Sequence, residues 1–259
     1  MDTSTLLDNP VILQFLFHPR AATPGASRLP GAMDGAIPVG DGVTLGYRLY
    51  AHKPGAPVIL YFHGNGEIAA DHDDIAPLYH AVGASLLIVD YRGYGWSSGK
   101  PTVSALPSDT EAVHRALPEI LSQAGLGRSP LVVMGRSLGS APAIHLASAY
   151  GRDYRGLILD SAFAQVIPLL ARLGLPVGML GGLADPVGNL DKMKRIEMPT
   201  LIIHGEQDDL IPISQAALLH EASPAKRKVF RRFAHAGHND LLYYAEEYFE
   251  AVGEFLSSL

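Results

Sequence analysis

The sequence predicts an α/β fold: a mostly parallel, doubly wound sheet covered by helices on both faces, with a small cap. Two observations lead there. Short, almost purely apolar runs alternate with longer segments of helical period, and one of those runs feeds directly into a Gly-x-Ser-x-Gly turn. The length of 259 residues suits a single large domain, 1–259, whose core needs neither a metal nor a covalent staple.

The elements follow in order. Residues Ala21 to Gly42 are rich in Pro, Gly and Ala and read as an irregular lead-in. Val43 to Tyr50 and Lys228 to Phe233 read as flanking strands, the first in an antiparallel pair. Val58–Phe62, Leu86–Val89, Leu131–Met134, Leu157–Leu159 and Leu201–Ile203 are nearly free of polar residues. Strands of that kind are buried on both faces, as in a parallel sheet between helical layers. The segments between them predict helices over about 68–82, 104–124, 138–150 and 214–222, with a last one over about 240–257. Right-handed crossovers then give the doubly wound order.

One connection breaks the rhythm. Between Phe163 and Met198 lie about forty residues, far more than a simple strand-to-helix link needs. Val166 to Leu183 carries one charge, Arg172, and is dotted with Gly174, Gly178, Gly181 and Gly182. The segment 163–198 is read as a cap over the C-terminal edge of the sheet.

Composition excludes several classes. The net charge is −6, and the few adjacent cations, Lys226 to Lys228 with Arg231 and Arg232, fit a solvated strand face rather than a nucleic-acid site. With no cysteine there is no disulfide framework, thiolate metal site or cysteine nucleophile. The start, Met1-Asp2-Thr3-Ser4, has an acid where a signal peptide carries basic residues, so a cytoplasmic protein is expected. Val11 to Phe17 is too short to span a membrane. It reads as a helix packing on the protein's own core, with peripheral membrane contact through residues 11–17 the less favoured alternative.

The chemistry is written at the C-terminal ends of the strands, the edge that faces the ligand crevice in an open α/β sheet. After Leu131–Met134 comes Gly135-Arg136-Ser137-Leu138-Gly139. A tight strand-to-helix turn forces its central serine into a strained conformation and lifts the hydroxyl clear, which makes Ser137 the candidate nucleophile. A serine hydroxyl needs a base, and the base needs an orienting acid. His238 follows the last strand and precedes the last helix, where a base can reach back over the sheet; His235 is its rival. His145 and His220 fall within predicted helices, and His204 lies close to the acid loop. The acid is expected in the loop after Leu201–Ile203, as Asp208 rather than Asp209, with Asp160 a weaker candidate. Two N–H donors must hold an oxyanion. The backbones of Leu138 and of Asn65, in the loop after Val58–Phe62, are the candidates, and His63 reads as a structural hydrogen-bonding residue.

The chain resembles the α/β-hydrolase superfamily over about residues 36–258. It resembles in particular α/β-hydrolase-domain proteins with an H-G-N loop, a D-Y-R-G-Y-G-x-S loop and G-R-S-L-G at the nucleophile. Here these read His63-Gly64-Asn65, Asp90-Tyr91-Arg92-Gly93-Tyr94-Gly95-Trp96-Ser97 and Gly135 to Gly139. Pro199 to Gly205 and Gly237-His238 also match. Members of that group often have a small residue and a second glycine where Gly66-Glu67 stand. The resemblance implies a serine esterase or a thioesterase acting on an acylated or other small-molecule substrate, with Ser137, Asp208 and His238 as its triad; the alternatives are a serine peptidase or amidase and, less favoured, a catalytically silent binding or scaffold protein of the same fold. Such chemistry requires no cofactor and no metal. Tyr94 and Trp96 are expected to line the substrate pocket.

Overall fold

The computed structural model describes residues 7–25, 27, 29–175 and 185–259. Its centre is an eight-stranded sheet in the order β1-β2-β4-β3-β5-β6-β7-β8. The strands are β1 (Ala32–Gly40), β2 (Val43–Tyr50), β3 (Val58–Phe62), β4 (Ser85–Val89), β5 (Leu131–Arg136), β6 (Gly156–Asp160), β7 (Thr200–Gly205) and β8 (Lys228–Phe233). β2 runs antiparallel to both β1 and β4, and every other pairing is parallel. The apolar runs are the central strands, and β3, β4, β6 and β7 are buried along their full length.

Alternation along each strand feeds two cores, because successive side chains leave opposite faces. Val58, Leu60 and Phe62 of β3 enter one apolar cluster, while Ile59 and Tyr61 enter the other. The first cluster lies under α3 (Ala105–Gln123) and α4 (Ser140–Ala149). α2 (Ala76–Ala81) and α8 (Ala245–Ser257) cover the second. α8 buries Tyr248, Phe249, Val252, Phe255 and Leu256, a stripe at helical spacing, and places Glu246 and Glu247 in its first turn where the helix dipole favours anions. α1 (Pro10–Leu16) is capped by Asn9, whose side chain accepts from the Val11 N–H. It turns Ile12 and Leu16 into the first core, the reading favoured for this segment. Among the described residues no helix is long and apolar enough to cross a membrane.

Two expectations change. The lead-in is not irregular throughout, since Ala32–Gly40 forms β1 at the edge of the sheet. Gly35 and Pro38 hide this strand from sequence reasoning. An edge position tolerates proline, and the register shifts between Pro38 and Gly40. A Cβ on Gly35 would overlap the ring of Tyr47, so the glycine is there to admit an aromatic side chain from the paired strand. The helix over 68–82 is also broken, into a 3₁₀ turn at Ala69–His72 and the short α2, with Pro77 at the start of α2 where a missing N–H costs nothing.

Within the segment 163–198 the described part includes α5 (Val166–Arg172) and α6 (Asn189–Met193); residues 176–184 lie outside the described residues. Side chains tie it to the body of the protein. The Gln215 side-chain oxygen Oε1 accepts from the Ala164 and Gln165 N–H groups, Asn189 Nδ2 donates to the Phe163 backbone carbonyl, and Arg172 donates to the Asp209 backbone carbonyl. α7 (Ile213–Ala222) supplies Gln215.

Replacing Gly35 with valine should force the Tyr47 ring off the sheet edge. The expected loss is about 1–3 kcal/mol, read as a lower urea midpoint at unchanged m-value. An unchanged midpoint would show that β1 is not held by this contact.

Candidate active site

β5 ends at Arg136 and runs into a single 3₁₀ turn, Ser137–Gly139, that continues as α4. Ser137 has φ +49°, in the left-handed region a serine occupies only when its surroundings impose it. What imposes it is the lack of room. A Cβ on Gly135 would collide with the Gly139 carbonyl, and one on Gly139 would collide with the carbonyl of Phe62 at the end of β3. The Ser140 hydroxyl donates to the Ser137 carbonyl at 2.7 Å and closes the turn. The Ser137 side chain is thereby presented at the end of β5, above the helix N-terminus.

Asp208 and His238 arrive from two further strand ends. Asp208 stands in the loop after β7, and its Oδ1 accepts from the Leu210 and Ile211 N–H groups at 3.0 and 2.7 Å. Its Oδ2 accepts from His238 Nδ1 at 2.7 Å. The other ring nitrogen, Nε2, lies 3.0 Å from Ser137 Oγ, so a neutral imidazole donates to Asp208 and accepts the serine proton. All three residues are buried. Burial alone would raise the Asp208 carboxyl, yet the contacts to His204, His238 and the Ile211 N–H hold it well below the usual carboxylate range. His204 Nε2 donates to the Ile211 carbonyl at 2.7 Å and lies 3.3 Å from Asp208 Oδ2. This residue therefore braces the acid loop, a role its spacing in the sequence does not reveal.

The rivals stand elsewhere. Asp209 and His235 are exposed. His145 pairs with Glu111 at 3.0 Å, and the His220 ring packs near Phe230. Asp160 accepts from the hydroxyls of Ser161 and Tyr248.

The loop after β3 faces this group from the other side. His63 Nδ1 bonds the Gly64 carbonyl at 2.8 Å, and Tyr91 donates to the His63 carbonyl at 2.6 Å. The Asn65 side chain is committed: its Oδ1 accepts from the Tyr94 hydroxyl at 2.6 Å and from the His18 N–H at 2.8 Å, and its Nδ2 meets His18 Nδ1 at 3.2 Å. Arg20 fastens the same strap of chain, donating to the Gly66 carbonyl at 2.6 Å and pairing with Asp71. Nothing local in the sequence announces His18 or Arg20, which lie more than forty residues from their partners.

The two aromatic residues expected at a substrate pocket, Tyr94 and Trp96, have partners within the protein. Tyr94 is 0% exposed, meets Tyr91 edge to face and packs at a tilt against His63, so it supports the Asn65 loop from beneath. The Trp96 indole donates to the Gly35 carbonyl at 2.9 Å, lies over Gly46 and sits beside the Arg48 guanidinium. That puts it on β1 and β2, and β2 is three strand positions from β5, roughly 14 Å at the usual spacing of about 4.8 Å. Among the described residues no cluster of three or more His, Asp or Glu side chains is placed to hold a metal ion.

With this geometry in hand, the comparisons with known proteins are direct. Residues 53–184 match the hydrolase family described as serine aminopeptidase, S33. The chain is 32% identical over 224 residues to an α/β-hydrolase domain-containing protein 17C of Xenopus tropicalis, covering 83% of this chain and 67% of that one. It belongs to the α/β-hydrolases. The same fold is seen in an esterase of Pyrococcus furiosus, at TM-score 0.75 and 21% identity over 93% of this chain and 98% of that one. A soluble variant of the monoglyceride lipase of Saccharomyces cerevisiae, solved with a substrate analogue, aligns at TM-score 0.68 and 17% identity over 91% of this chain and 97% of the other. The mostly parallel eight-stranded sheet of this α/β-hydrolase thus belongs to an established architecture.

The depressed Asp208 carboxyl carries a stability prediction. A carboxylate held below its unfolded value of about 3.9 adds stability that is present above that pH and lost as pH falls toward the folded value. Asp208→Asn should therefore cost about 1–3 kcal/mol at pH 7, and the gap to wild type should narrow as urea unfolding is repeated from pH 6 down to pH 3. A gap that stays constant over that range would mean the carboxylate charge is not what stabilises the loop.

Proposed function

We propose that this α/β-hydrolase is a serine hydrolase that cleaves carboxylic ester or thioester bonds through an acyl-enzyme. The observation that carries the reading is His238 bridging Ser137 Oγ at 3.0 Å and Asp208 Oδ2 at 2.7 Å. Geometry of that kind lets one imidazole act first as base and then as acid. Ser137 Oγ attacks the substrate carbonyl carbon while its proton passes to His238 Nε2. Asp208 stabilises the imidazolium and stays ionised, as its depressed carboxyl requires. The tetrahedral oxyanion is held by the N–H groups of Leu138 and Asn65. The Asn65 side chain is occupied by His18 and Tyr94, which leaves the backbone as that residue's contribution. Collapse expels the alcohol or thiol, which takes the proton from His238. Water, deprotonated by the same nitrogen, then attacks the acyl carbon and frees the acid.

The residues that do this work are all protein side chains and backbone, and the chemistry asks for no metal or cofactor. The segment 163–198 serves as a small cap inserted in the single domain, with an acylated or other small-molecule substrate entering beneath it. Phe163, Leu169, Leu210 and Ile211 line a cavity of about 170 Å³ beside the Asp208 loop, an apolar setting suited to an acyl chain. A cytoplasmic location is part of this proposal. A second reading, amide or peptide hydrolysis, is kept because the matching family is described as an aminopeptidase; the same triad would serve it.

Ser137→Ala should lower hydrolysis of p-nitrophenyl acyl esters by about a thousandfold or more and abolish labelling by a fluorophosphonate probe. Retained labelling in that variant would remove Ser137 as nucleophile. A panel of esters, thioesters and aminoacyl amides assayed with wild type decides between the two readings by which bond is turned over fastest.

A further inference from the structure

The residue that precedes the nucleophile does something the triad does not account for. Arg136 is the last residue of β5, and the strand alternation that turns Ser137 toward the site turns Arg136 toward the second core. Its guanidinium is largely buried, with the side chain 16% exposed, and it reaches both loops that flank the site. Nη1 pairs with Glu67 Oε1. Nη2 donates to the backbone carbonyl of His238 at 2.9 Å and to Asn239 Oδ1 at 2.8 Å. Glu67 passes the connection on, because its Oε2 accepts from the Gly64 N–H at 3.0 Å, one residue before Asn65.

We propose that Arg136 and Glu67 are positioning residues: their ion pair sets the oxyanion loop and the His238 loop in register across the nucleophile. The inference rests on the serine-hydrolase reading and extends it. A planar guanidinium suits this task because its donors leave in fixed directions toward three acceptors at once. The loop is shaped around the pair. Gly64 has an ordinary backbone conformation, yet a Cβ there would come within 2.5 Å of Arg136 Nη1 and 2.8 Å of Glu67 Oε1, so the glycine makes room for the ion pair. The charge is matched as well. Burial would raise the Glu67 carboxyl, but the Arg136 guanidinium holds it below its ordinary range. On its far side the pair borders a cavity of about 250 Å³, lined also by His72, Asp160 and Asn239. Its grip on the loops therefore comes from polar contacts rather than from packing on that face.

Removing either partner shifts two groups that must converge on one carbonyl, and misplacement by about 1 Å can cost about a hundredfold in rate. The ground-state contacts to an acyl chain lie elsewhere, so KM should hardly move. The test compares wild type, Arg136→Lys, Glu67→Gln and the double variant Glu67→Gln/Arg136→Met. Each is assayed for kcat and KM on a p-nitrophenyl ester, for inhibition by an acyl trifluoromethyl ketone, and for urea stability. Arg136→Lys keeps the charge opposite Glu67 but cannot also reach His238 and Asn239; it should fold and lose about tenfold to a hundredfold in kcat. The double variant buries no unpaired charge, so it should recover stability relative to Glu67→Gln. Its kcat should stay low, and ketone affinity should fall in step with kcat/KM. A folded Arg136→Lys or double variant with wild-type kcat would overturn the proposal, as would a change in KM alone. Should wild type itself fail to label with the fluorophosphonate, the serine-hydrolase reading fails; if wild type labels and the variants keep its kcat, only the positioning role of Arg136 and Glu67 fails.

Discussion

Backbone meets backbone where the Ser137 turn leaves β5, and much of the molecule is arranged around that contact. Gly139 lies so close to the Phe62 carbonyl that a methyl group has no space, and Gly135 is closed off by Gly139 in the same way. β3 and β5 pair in parallel as far as Phe62 and Gly135, so the contact sets the height of the turn above the sheet. The loop carrying Asn65 leaves from that same strand end. One close approach therefore fixes both the left-handed Ser137 and the origin of the loop that faces it. The small residues at the start of α4, Ser140, Ala141 and Ala143, are buried and let the helix sit down behind it.

Four carboxylates at or just past the ends of β3, β4, β6 and β7 differ in their partners, and their surroundings explain why. Asp208 collects two backbone N–H groups and the His238 ring, which stabilises its charge in spite of burial and makes it a fixed anion behind the imidazole. Asp160 is equally hidden but is satisfied by two hydroxyls. Glu67 answers to Arg136 and to the Gly64 N–H. Asp90 gives one oxygen to the Ala69 N–H and faces His63 across 3.2 Å, locking the turn below the Asn65 loop. Only one of the four touches the histidine that reaches the serine, and that selection is made by position alone.

The N-terminal strap belongs to the same arrangement. Residues 18–22 run past the Asn65 loop and bridge to Gly95, with hydrogen bonds from the Ala22 N–H to the Gly95 carbonyl and from the Gly95 N–H to the Arg20 carbonyl. Gly95 is needed there because a side chain would strike the Asp90 carboxylate. The Asp90-to-Ser97 motif is thus a structural clasp. Ser97 accepts from the Gly46 N–H, Trp96 covers Gly46, and Tyr94 holds Asn65.

The central strands and their parallel order were legible in the sequence, as were the strand-end positions of Ser137, Asp208 and His238. Each rests on a local pattern: an unbroken apolar run, a glycine on either side of a serine, an acid or a histidine just past a strand. The structure brings Ser137, Asp208 and His238 together although the serine and histidine are 101 residues apart, which chain order suggested but could not measure. Tertiary structure alone decided what β1 is, since its glycine and proline make sense only against Tyr47 and a sheet edge. It alone gave Trp96 and Tyr94 their partners, Gly35 and Asn65, because motif aromatics are indistinguishable from pocket aromatics until those partners are known. His204, Glu67 and Arg136 acquired their roles the same way. Their chemistry is a matter of which buried acceptor lies within 3 Å or so, and that distance exists only once the strand ends have been assembled.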